Sequence, residues 1–320
     1  MIVAAIVAAS RLLASEAGQG LEVRWNKSVR YDTGRRPTLA IDERNTVVEV
    51  HVSETSDALW YRVGEADAAS GVVSWGNSVR YDSGLNPSVA LGAGGLAVEV
   101  HESEGADTLW YHVGEVDAGS RTISWGKSVQ YDTGRLASVA MDERGSVVEV
   151  HVSETTDALW YRVGKVNASA RSIAWGKSVR YDSGLNPVVG IGAEGVVVEV
   201  HESEGADTLW YHVGILDAEA GTIAWGKSVR YDDGIHAALA MGRDGRVVEV
   251  HESEGADTLW CHVGSVARAS RTISWGGSVR YDTGVRPRVA LHPGGRFAIE
   301  AHESEGTDTL WYHVGSLPGE

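Results

Sequence analysis

Apolar and polar residues alternate with a period of two over short runs along this chain, and the runs return at a fixed spacing. In one stretch, Ala97 to Ser103 (AVEVHES) alternates, and after a Glu-Gly-Ala-Asp turn Thr108 to Val113 (TLWYHV) alternates again, which predicts a hairpin. Pro87 to Leu91 (PSVAL) is a shorter strand of mostly small residues, turned at Gly92 to Gly95. Thr122 to Tyr131 (TISWGKSVQY) reads as a fourth strand, interrupted by Gly126 and ended by an Asx-type turn at Asp132 and Gly134. No apolar stripe of period 3.6 occurs, so helix is negligible.

The spacing of these runs decides the architecture. Tryptophan stands at 25, 75, 125, 175, 225 and 275 and again at 60, 110, 160, 210, 260 and 311, a period of 50 that accounts for all 12. Tyrosine follows the same grid, with Cys261 where a twelfth would be. A repeat of this length carrying four strand signals marks a propeller blade. The prediction is an all-β, six-bladed β-propeller with four-stranded blades. The last repeat ends without an outer strand, whereas Leu21 to Tyr31 (LEVRWNKSVRY) is an outer strand with no inner strands before it. Pairing the two closes the ring like velcro and leaves no open edge. Residues 21–320 then form the propeller, and residues 1–20 an N-terminal segment read as a poor signal peptide or an arm.

Composition narrows the partners. A net charge of −16 argues against nucleic acid, which needs a basic face. The apolar run within residues 1–20 is too short to span a bilayer, so no membrane insertion is expected. One cysteine excludes an internal disulfide framework.

Each blade repeats one polar constellation. Glu-x-His-x-Ser on one strand puts three polar residues on a single face, and antiparallel pairing sets His51 opposite Trp60 and Glu49 opposite Arg62. The candidate ligand-binding residues are therefore Glu49, His51, Trp60 and Arg62; Glu99, His101, Trp110 and His112; and Glu149, His151, Trp160 and Arg162. The later blades add Glu199, His201, Trp210 and His212; Glu249, His251, Trp260 and His262; and Glu300, His302, Trp311 and His313. Glu49 with Arg62, and Glu99 with His112, are expected ion pairs.

Two roles suit this face. Glu and His can satisfy each other and hold blades in register, or the cluster can form a cleft in which indole covers a sugar face while charged groups take hydroxyls. Ser53, Glu54 and Asp57 read chiefly as turn residues. One His and one Glu are half a metal site, with no further ligand at suitable spacing, so neither metal nor cofactor is expected. Sixfold repetition disfavours catalysis, which needs a unique cluster; an enzyme would need one blade with private residues converging, most plausibly at the central channel. His236 and His292 are the only histidines off the repeat grid.

Trp-Gly-x-Ser-x-x-Tyr-Asp-x-Gly and Val-Val-Glu-Val-His-x-Ser followed by Leu-Trp-Tyr-x-Val-Gly resemble tandem-repeat β-propellers of the bacterial and fungal lectin type, over residues 21 to 320. The resemblance implies sugar pockets at or between blades, and secreted proteins, which tips the expected location toward the outside of the cell. The expectation is a non-enzymatic multivalent lectin with glycan or glycoprotein partners, compatible with a monomer; the alternative is a protein-interaction scaffold.

Overall fold

The computed structural model describes residues 22–318, so the reading of residues 1–20 lies outside it. Six antiparallel sheets follow one another around an axis. In the second blade the inner strand is Leu85–Leu91, the next Leu96–Glu102, and the third Thr108–Asp117. The outer strand comes in two pieces, Thr122–Trp125 and Val129–Thr133, which both pair with the third strand. Gly126 marks the break, as the sequence indicates.

The ring closes as expected. Arg24–Trp25 and Val29–Thr33 pair with Thr309–Ser316, so the N-terminal strand completes the sixth blade. Helix is confined, among the described residues, to the 3-10 turns Ala93–Gly95 and Ala193–Gly195. None of the described helices is long and apolar enough to cross a membrane.

The core lies between blades. Val48, Val50, Tyr61 and Val63 of the first blade pack on Val89, Ala97, Val116 and Ile123 of the second. Face-to-face burial of β-branched residues on pleated strands makes each seam a small sandwich core. Two glycines of the repeat follow from close approach. At Gly114 a Cβ would sit 2.5 Å from the Trp125 ring, so the indole lies flat on the backbone. At Gly84, φ is +158° and a Cβ would meet Glu102 O at 2.5 Å, where the chain crosses from the outer strand of one blade to the inner strand of the next.

Candidate functional site

The predicted register is the observed one: His51 faces Trp60 and Glu49 faces Arg62, and the same pairing recurs in all six blades. The expected ion pairs are not. Glu49 is taken by its strand neighbour His51, whose Nδ1 lies 3.1 Å away, and by the Tyr31 hydroxyl of the adjoining blade at 3.0 Å. Arg62 therefore reaches across the seam to Asp32, with Nε 2.7 Å from Oδ2. Arg162 does the same toward Asp132 at 3.4 Å. In the second blade Glu99 holds His101 Nδ1 at 3.0 Å, and His112 Nε2 sits 2.7 Å from Asp82 of the first blade. His212, His262 and His313 repeat this contact with Asp182, Asp232 and Asp282.

The six glutamates are fully buried, and the six histidines beside them are 2–3% exposed. Of the four residues predicted per blade, Glu and His lie inside the seam, and only the Trp60, Trp110, Trp160, Trp210, Trp260 and Trp311 rings reach toward the surface in all blades. Burial lowers His51, but the charge and hydrogen bond of Glu49 outweigh it and leave its pKa raised. Glu149 does the same for His151. Burial raises Asp182, yet the His212 hydrogen bond and the Ser183 N–H hold it at about 2. Ser53 and Asp57 serve the turn: Ser53 N–H donates to Ala58 O at 2.8 Å, and Asp57 O accepts from Gly84 at 2.7 Å.

Sixfold repetition fails at one mouth of the central channel. The inner strands open there on a cavity of about 170 Å³, where one position of the repeat is Arg36, Asn86, Leu136, Asn186, His236 and Arg286 in turn. All six hold a left-handed backbone, with φ from 49° to 54°. Glu102, Glu202, Glu252 and Glu303 stand behind them, each accepting the backbone N–H of that position from the following blade. These carboxylates replace Val52 and Val152 of the other two blades.

The result is a continuous chain of polar contacts over four blades. Asn186 Nδ2 donates to Glu202 at 2.7 Å, Glu202 accepts His236 N–H at 2.5 Å, and His236 Nδ1 lies 2.9 Å from Glu252. Glu252 accepts Arg286 N–H at 3.1 Å, and Glu303 accepts both Arg286 Nη1 and Arg36 N–H. Arg288 lies in the same wall, and its guanidinium bonds only the Pro287 carbonyl among the described residues. Burial, and the charges of Arg286 and Arg36 against the opposing Glu202, lower Arg288 to about 10. Burial raises Glu102 above the usual carboxylate range despite the Leu136 N–H and Asn86.

The single blade of private, converging residues that the sequence reading asked of an enzyme is not what stands here: the contacts run over four blades, and His236, off the repeat grid, is the private member. The signal for this mouth lay in two inner-strand positions that vary between blades, that of Arg36 and that of Arg288, next to a position that is Val in two blades and Glu in four. The far mouth differs: Arg243 bridges Glu43 and Glu143 at 2.9 Å each, across a cavity of about 480 Å³.

No family model matches the chain, and no curated protein matches its sequence. Solved structures match in shape. The Trypanosoma rangeli sialidase is 12% identical with a TM-score of 0.59, covering 92% of this chain and 58% of the sialidase. The Penicillium chrysogenum α-L-arabinanase complexed with arabinobiose is 12% identical with a TM-score of 0.61, covering 91% of this chain and 98% of that one. The Streptococcus pneumoniae sialidase NanB gives 8% and 0.62, over 90% and 68%. At such identity the likeness concerns the fold. The chain spans little more than half of the first sialidase. The expectation of a non-enzymatic lectin is corrected by these neighbours, which are enzymes of glycans, and the resemblance to propeller lectins finds no support among them.

Proposed function

We propose that this chain is a glycoside hydrolase of acidic glycans, working at the channel mouth formed by Arg36, His236, Arg286 and Arg288. The observation that carries this reading is the break of repeat symmetry there. Five blades offer no imidazole at this position, and of the guanidiniums that cluster there only that of Arg286 meets a carboxylate among the described residues, through one contact with Glu303. An unmatched, desolvated guanidinium is a binding site for a planar anion.

The chemistry asks for an anion anchor and a proton-transfer group. Arg288, with Arg36 and Arg286, binds the acidic substituent of the sugar. His236 moves the proton: Glu252 fixes its Nδ1 and so sets the ring's orientation, and the side chain remains 27% exposed. Hydrolysis adds water across the glycosidic C–O bond, with one proton passing to the leaving oxygen. The glycan-acting neighbours of the same fold support this class of substrate. The test is a panel of neutral and acidic aryl glycosides offered to the purified protein. Release of the aryl group from an acidic member is expected, and a panel without any turnover overturns the reading.

A further inference from the structure

The seams hold a second constellation, away from the channel, that the proposed hydrolysis does not use. In three seams Asp, His and His converge: Asp82, His101 and His112; Asp182, His201 and His212; and Asp232, His251 and His262. In these clusters one ligand-type atom from each residue lies within 4.8 Å of the others. In the sixth blade the group within the same reach is Glu300, His302 and His313, and Asp282 touches only His313. His101 Nε2 is 3.9 Å and His112 Nε2 2.7 Å from Asp82 Oδ2.

The orientation of the rings is the telling part. His101 Nδ1 is engaged by Glu99 at 3.0 Å, and His112 Nδ1 by the Gly126 carbonyl at 3.0 Å. Both rings are held through Nδ1, so both Nε2 atoms face the same carboxylate; His112 Nε2 donates to Asp82 at 2.7 Å, a proton that an incoming ion displaces. A carboxylate or carbonyl behind each imidazole is the outer-shell arrangement that orients histidine toward a metal. Asp82 is 28% exposed and leaves the cluster an opening to solvent, while the two imidazoles are 3–5% exposed.

The other two blades supply an internal comparison. Where the second histidine would stand, they carry Arg62 and Arg162, whose guanidiniums lie against Asp32 and Asp132. A cation occupies the place in those seams. In the histidine blades the two imidazoles stack instead, with ring centroids 5.7 Å apart, beside Asp82 and the buried Glu99.

We infer that each of these three Asp-His-His seams binds one divalent transition-metal ion of the zinc class through two imidazole Nε2 atoms and one aspartate, giving three sites per chain. Two nitrogens and one oxygen suit zinc and its neighbours and not calcium or magnesium, which take oxygen cages. The third ligand escapes the sequence because it comes from the preceding blade: Asp82 precedes His112 by 30 residues and meets it only across a seam.

The experiment is zinc titration of the full-length, EDTA-stripped protein, with bound metal counted by mass spectrometry after gel filtration and checked by the visible absorption of a cobalt(II)-loaded sample. About three equivalents are expected. His112→Arg, which copies the natural first and third blades and so keeps the seam packed, should lower the count by one, and H112R/H212R by two. Arg62→His should add one. Less than one equivalent in the wild type, or a count that ignores these substitutions in protein of unchanged melting temperature, overturns the inference. A purely structural role for the histidines would leave the count unmoved.

Discussion

The seams make a sharp demand on Arg62. Its guanidinium and the Asp32 carboxylate are 19% and 18% exposed and meet at 2.7 Å between the first and sixth blades. Replacing Arg62 by Met keeps the stem and removes the charge, leaving Asp32 beside Glu49 without its guanidinium partner. Breaking a fully buried pair costs ~3–5 kcal/mol, and the residual access of water here reduces that to ~2–3 kcal/mol. Unfolding about 300 residues carries an entropy of ~0.6 kcal/mol per degree, so the melting temperature should fall by ~3–5 °C. Arg62→His, the natural alternative of other blades, should cost no more than ~1 kcal/mol, or ~2 °C. Adding Asp32→Asn to R62M removes the stranded charge and should recover at least half of the loss. Tryptophan fluorescence during a thermal ramp in EDTA reads these four proteins and Asp32→Asn alone. The reasoning is refuted if R62M melts within 1 °C of wild type, or if the double variant loses the sum of the two single losses.

Other consequences follow from the same structure. A chain lacking residues 1–34 loses both pieces of the strand that covers Thr309–Ser316, including Trp25 against Tyr281 at 5.3 Å. Its open edge should produce oligomers in light scattering, and a monomer with the wild-type melting temperature would contradict velcro closure. His51 and His151 carry native pKa values above the ordinary ~6.5. Their contribution is complete below the unfolded value and is lost as pH rises through the native one. The melting gap between wild type and H51Q/H151Q should thus narrow from pH 6 to pH 9, and a constant gap would show that these imidazoles do not titrate with folding.

Much of this was written in the repeat. Alternation at period two, broken at Gly126 and the Tyr-Asp-x-Gly turns, specifies strands, their register and the closure, because a one-residue slip would put Val48 and Val50 on the polar face. What could not be read was which side chain meets which across a seam. Arg62 faces Glu49 on its own strand pair, yet long side chains on a blade face reach the next blade, and Asp32 becomes visible as its partner only once the blades are stacked. Residues 52 and 62 vary together between blade types, yet alternation puts them on opposite faces, so their covariation marks blade descent and not contact. The channel mouth is not legible from the repeat because its residues, Arg36 to Arg286, are the ones that depart from it.

The central claim rests on that mouth, and steady-state kinetics on an acidic aryl glycoside test it most directly, comparing wild type with His236→Gln and Arg288→Met. The account predicts a kcat lower by ~10²–10⁴-fold for H236Q, as for loss of a general acid–base group, and a raised KM for R288M. Equal turnover by all three proteins, or none by the wild type, would contradict it.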